Sequence, residues 1–153
     1  MLKEGPQTPQ PQAFAESAAQ TDGYELSAAQ TALTQSRNPR VRDFAQRMVT
    51  DHAATSRALR EAAKADGLEP PRPRVGGDQS SFLATLQSLR GDAFDREYAR
   101  QQMLAHASAL ATLRSYADKG SDGNLRRWAA STSPTIERHL QSARQLMQLL
   151  GAR

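Results

Sequence analysis

Three histidines stand in a chain of 153 residues: His52 and His139 fall on the apolar seams of two helical stretches, and His106 at the edge of the apolar face of a third. Neutral imidazole and carboxylate oxygen are ligands for borderline divalent ions, so three such rings meeting an acid would suit Zn2+, Fe2+, Mn2+ or Cu2+. The acid is Glu25. In an up-down-up-down bundle, depth follows from distance to the connecting turns. Glu25 lies twelve residues before Arg37, His52 thirteen after Pro39, His106 thirteen before Lys119 and His139 seventeen after Asp122. At 1.5 Å per residue, only His139 stands apart, by about 6 Å, an excess that a kink at Pro134 could absorb. Asp51, Tyr24 and Tyr98 are close enough in sequence or depth to hydrogen-bond the rings and set their tautomers. The same groups could instead close a metal-free hydrogen-bonded layer in a structural or interaction module.

The elements that carry these groups are helices. From Asn38, residues Val41, Phe44, Ala45, Met48, His52, Thr55, Leu59 and Ala62 recur at steps of three and four, with Asn38 as cap and Pro39 at the first helical position. An earlier helix runs from Ala13 to near Arg37 with Phe14, Ala18, Thr21 and Glu25 on one face. After a Pro/Gly-rich connection around 67–78, Ser80 to Leu89 predicts a short helix. A longer one runs from Asp92 or Ala93 to Gly120, with His106 at the edge of a broad apolar face. The last begins near Asp122 and places Leu125, Trp128, Thr132, Ile136, His139, Ala143 and Leu146 on its seam. Pro134 should kink or restart it, capped by Ser131, Thr132 or Ser133. The expected architecture is an all-α four-helix bundle over residues 13–151, ferritin-like in form, with an extra short helix between helices 2 and 3 and a disordered tail at 1–12.

Function classes are narrowed by what is missing. The chain has no Cys, which excludes disulfides and thiolate ligands. No Ser sits in a Gly-flanked elbow, and Gly76-Gly77 lacks the remainder of a phosphate loop. Ferritin-type di-iron sites need Glu-x-x-His on two helices, and that spacing is absent. These readings point to a protein without an enzymatic reaction. The formal charge of +4 is carried mostly by arginine, without interleaved aromatics, which argues against a nucleic-acid partner. No apolar run approaches the roughly 20 residues that span a bilayer, and the opening MLKEGPQTPQPQ has no apolar signal core. Eight basic and three acidic residues flank the two short turns, among them Arg37, Arg40, Arg114 and Lys119, and are expected to form one basic end able to dock a surface.

The segments AAQTDGYELSAAQTAL, NPRVRDFAQRMVTDHAATSRAL, FDREYARQQMLAHASALATL and SPTIERHLQSARQL, in that order, resemble the bacterial domain-of-unknown-function family 4142. The marks of the resemblance are Glu25, Asp51-His52, Phe94-Asp95 with Tyr98 and His106, and Pro134 to His139. It covers about residues 13 to 150, with Ser133-Pro134 where the family pattern expects Leu-Pro. The resemblance implies a ferritin-like bundle in exported, periplasmic or envelope-associated proteins, often labelled outer membrane proteins, with an envelope component or another protein as partner. Export would account for the missing signal by processing.

Overall fold

A computed structural model describes residues 10–121 and 123–151. Five helices make up the described residues, with no strand among them: α1 (Pro11–Gln35), α2 (Pro39–Ala65), α3 (Gly77–Ser88), α4 (Gly91–Lys119) and α5 (Asn124–Leu150). Helix α1 starts inside the expected tail, because Pro11 suits the first helical position and Gln12 is tied by its amide to the Glu69 carbonyl at 3.1 Å. Asn38 caps α2 as its sequence predicts, Oδ1 accepting from the Arg40 N–H at 2.9 Å. The cap of α5 comes from elsewhere. Asp66, just beyond α2, accepts the N–H groups of Asn124 and Leu125 at 2.9 and 2.8 Å.

Contacts between helices give their directions. On α1, Phe14 stacks on Tyr116 of α4, Tyr24 reaches Gln101, and the Ser36 hydroxyl just past α1 donates to Asp95. These pairings make α1 and α4 antiparallel. Phe44 lies against Tyr98, and His52 against His106, so α2 and α4 run parallel. Helix α5 opposes α2, with Trp128 donating to the Thr55 carbonyl and His139 meeting Asp51. The order is therefore up, down, down, up, and the expected up-down-up-down alternation is corrected. The reason is the connector between α2 and α4, which does not cap one end but runs the length of α1. It passes Gln12 at Glu69 and Gly23 at Arg74, and at its far end Leu86 and Leu89 hold Gln35.

Gly23 explains itself in this arrangement. A Cβ there would sit 2.4 Å from the Arg74 backbone, so the connector can lie flat on α1 only over a residue without a side chain.

Three further expectations change. The two short turns lie at opposite ends, so the basic residues do not form a single end. Instead Arg42 donates to the Leu33 and Ser36 carbonyls, and Arg126 to those of Ala117 and Asp118, satisfying helix C-termini. Pro134 neither ends nor restarts α5. The carbonyl it leaves without a helical donor belongs to Ala130, an exposed residue, so water can take the place of the one lost bond. Ser131 and Ser133 bond back to the Trp128 and Ala129 carbonyls rather than capping. Finally, α3 begins at Gly77, earlier than Ser80, with the Gln79 side chain accepting from the Gly76 N–H.

Two apolar clusters fill the bundle. One gathers Phe44, Met48, Leu86, Phe94 and Tyr98; the other gathers Phe14, Leu59, Tyr116, Trp128 and Ile136. Between them lies a polar layer.

Candidate metal centre

That layer contains Glu25 from α1, His52 from α2, His106 from α4 and His139 from α5, all buried to 2% exposure or less. Each sits on a seam of small or apolar neighbours, so the apolar periodicity that folds each helix also turns its polar group inward. One nitrogen from each ring lies within 4.8 Å of the others. His52 Nε2 stands 3.4 Å from His106 Nε2. Glu25 Oε2 lies 3.9 Å from His106 Nε2.

The outer nitrogen of every ring is anchored. His52 Nδ1 bonds Asp22 Oδ1 at 2.8 Å, His106 Nδ1 the Gln102 carbonyl at 2.8 Å, and His139 Nε2 Asp51 Oδ2 at 2.8 Å. A carbonyl and an ionised carboxylate can only accept, so these three ring nitrogens carry the hydrogens. In the neutral rings the remaining nitrogens, His52 Nε2, His106 Nε2 and His139 Nδ1, hold lone pairs. This pattern, an anchored N–H behind an inward lone pair, is the one that orients metal-binding imidazoles.

Burial and neighbouring charge set the protonation states. Burial pushes His106 well below the ordinary imidazole value, helped by His52 and His139, so it is neutral. Burial also lowers His139, to about 4, against the opposing pull of Asp51. For His52 burial acts in the same direction but is outweighed by the Asp22 bond and by Glu25, Asp22 and Asp51, leaving it raised. Glu25 is pushed up to about 7, chiefly by burial, with His52 and Gln102 opposing.

Several polar atoms in this layer have no hydrogen-bond partner: both oxygens of Glu25, Nδ1 of His139, the Tyr98 hydroxyl and both ends of the Gln102 amide. The Gln102 amide acts on Glu25 through its field without closing a bond of good geometry. Each such buried atom costs about 1–3 kcal/mol when left unmet, more for a charge. A cation among the rings would satisfy Glu25 and His139 at once.

The four expected ligand positions are thus brought together in one layer. Of the expected anchors, Asp51 holds a ring, whereas the Tyr24 hydroxyl goes to Gln101 and Tyr98 touches no histidine nitrogen by hydrogen bond. Sequence reasoning missed Asp22 and the Gln102 carbonyl. Asp22 could have been found as the residue three before Glu25, but the face drawn through Phe14, Ala18 and Thr21 excluded it. Beside Phe14 the buried residues step through Ala15, Ala19 and Asp22 to Glu25, so Asp22 lies on the inward face, where it meets His52 and Thr55 of α2.

No curated protein matches the sequence. A crystal structure of a DUF305 fragment from Deinococcus radiodurans is similar, with a TM-score of 0.77 at 21% identity, over 96% of this chain and 99% of that one. At that identity the likeness is one of fold. The family model for the domain of unknown function DUF4142 matches residues 2–146, and the chain belongs to that family.

Proposed function

We propose that this protein binds one divalent transition-metal ion in the middle of its bundle, through His52 Nε2, His106 Nε2, His139 Nδ1 and the Glu25 carboxylate, and that it is a binding protein rather than an enzyme. The observation that carries this reading is the convergence of three anchored imidazoles on one point beside a buried carboxylate without partners. The spacing agrees. Two nitrogens on a tetrahedral ion at 2.0–2.1 Å stand about 3.3–3.4 Å apart, and His52 and His106 stand 3.4 Å apart. The wider separations, 3.9 Å to Glu25 and up to 4.8 Å within the ring set, call for a small inward movement as the ion is taken up. One long crossover between α2 and α4 is the connectivity of ferritin-like bundles, which supports that description of the fold. The resemblance to exported proteins supports a periplasmic or envelope setting, with a role in metal handling or stress tolerance.

A second reading has an observation of its own. The raised His52 and lowered His106 can share a proton across 3.4 Å, His52 Nε2–H donating to His106 Nε2, and the layer then serves as a metal-free network in an interaction module. Elemental analysis and zinc titration calorimetry of protein purified without a histidine tag separate the two. The metal reading expects about one equivalent of ion, lost in His106→Ala; below about a tenth of an equivalent of any transition metal, before and after reconstitution, the network reading stands.

A further inference from the structure

A cleft of about 560 Å³ opens between α1 and α4, and the leading edge of α3 borders it. Its volume lies within the roughly 300–1,000 Å³ of small-molecule sites. Phe14, Leu113, Trp128 and Ile136 line it, with Phe82 and Leu104 among its outer residues. These last two are 43% and 46% exposed, and only Leu149 joins them as a large apolar side chain exposed among the described residues. The lining is mixed: its apolar side chains form one wall, and polar residues such as Thr21, Gln101, Ser108 and Thr132 share the rest, so the cleft offers an apolar body a wall to lie on and polar groups beside it.

Its polar residues are informative. Asp22 and His52 line the cleft as well. Asp22 is 4% exposed, and its Oδ1 is committed to the His52 ring and the Thr55 hydroxyl at 2.8 and 3.1 Å. Its Oδ2 is buried and has no partner. A buried carboxylate oxygen in a small-molecule-sized cavity awaits a donor. Asp22 bonds the outer nitrogen of His52, on the ring edge away from the inward Nε2, so a group at Asp22 would not occupy the metal position.

We propose that this cleft binds a small organic molecule with an apolar body and one N–H- or O–H-donating head, the head seated on Asp22 Oδ2 and the body against Phe14, Trp128 and Ile136. The donor head satisfies the buried Asp22 oxygen that has no partner, and the body covers the apolar wall. Such a ligand would lean on the same carboxylate that anchors His52, which puts the cleft and the metal position on either side of one ring. The site stands on Asp22 and the cavity, whether or not an ion is held beyond His52.

Trp128 is the sole tryptophan and lines the cleft, so its emission reports occupancy directly. Phenethylamine, 2-phenylethanol and ethylbenzene are titrated into the full chain as purified. The expected result is saturable quenching or shift of Trp128 emission, with both donor-bearing probes binding about tenfold or more tighter than ethylbenzene. Asp22→Asn should erase that preference. Because this variant also loosens His52, Ala109→Phe serves as the second: it fills the cleft from a half-buried position on α4, and should abolish the response to all three probes while zinc titration is unchanged. The proposal is overturned if no probe gives a saturable response, if ethylbenzene binds as tightly as the donors, or if Ala109→Phe binds them as well as the parent chain does. A lost zinc isotherm with intact probe binding would sink the metal reading alone.

Discussion

His52 Nε2 and His106 Nε2 face each other at 3.4 Å across the parallel helices α2 and α4, and neither ring is free to turn away, because Asp22 and the Gln102 carbonyl hold their far nitrogens. Two imidazoles aimed at each other in a buried layer share either a proton or a cation. If an ion is held, the anchors should matter nearly as much as the ligands. Asp22→Asn and Asp51→Asn should each weaken zinc binding about 10–100-fold with the stoichiometry kept. Calorimetry checks this, and unchanged affinity in both variants would remove the anchoring role.

Glu25 links the layer to pH. Its folded-state pKa of about 7 lies above its ordinary value of 4.5, so between those values the folded chain holds more proton than the unfolded one, and metal-free stability falls as pH rises. The loss amounts to about 3 kcal/mol once pH is above 7. In chelated protein, Glu25→Gln should therefore melt higher than the parent at pH 8, and this advantage should vanish near pH 4.5. A melting difference that does not grow with pH would count against a buried, unmet acid. His106 and His139 act in the opposite sense, their contribution being lost as pH falls below 6.5, but they cancel in this comparison.

Metal uptake requires Glu25 ionised and His52 unprotonated, both disfavoured by their raised values. Zinc affinity should drop as pH falls below about 7, with proton release on binding. Calorimetry in buffers of different ionisation enthalpy measures that release, and zero release at pH 6.5 would contradict the assigned states.

Gly23→Ala should destabilise the protein although alanine is the better helix former. Helix propensity favours the change by about 1 kcal/mol. The new Cβ, however, would meet the Arg74 backbone at 2.4 Å, and lifting the connector off α1 should cost about 1–3 kcal/mol net. A lowered urea midpoint and faster proteolysis at 67–76 are the expected signs; a raised midpoint would mean that the connector is not seated there.

Asp66→Ala should cost about 1 kcal/mol, as loss of a helix cap does, even though Asp66 belongs to the end of α2 and the helix it caps is α5. Burial is the largest single influence on its carboxyl and raises it, but the bonds from Leu125 and Asn124, with the Arg127 charge, together outweigh burial and hold it below the ordinary range. That contribution is present above the ordinary pKa of 3.8 and disappears as pH falls through the lowered value. Denaturant midpoints at pH 7 and at acid pH should accordingly converge for parent and variant.

Residue pattern alone determined the helices, the Asn38 cap with Pro39 at the first helical position, and the inward placement of Glu25, His52, His106 and His139, because apolar spacing of three and four selects a face whatever that face meets. It also placed those groups at a common depth, and for an incomplete reason. Each lies near the middle of a helix of 25 to 29 residues, so the depths agree whichever end points up; His106 is fifteen residues from Gly91 and thirteen from Lys119. Only the tertiary structure decided that α4 runs parallel to α2, since a Pro/Gly-rich connector of this length can either turn back or climb the bundle. It also decided which nitrogen of each ring points inward, because that depends on partners from other helices, Asp22 and Asp51, and on a backbone carbonyl that no side-chain pattern records. Asp22 escaped sequence reasoning because in this alanine-rich stretch a stripe through Ala18 and Thr21 is as periodic as the one through Ala15, Ala19 and Asp22, and only contacts with α2 choose between them.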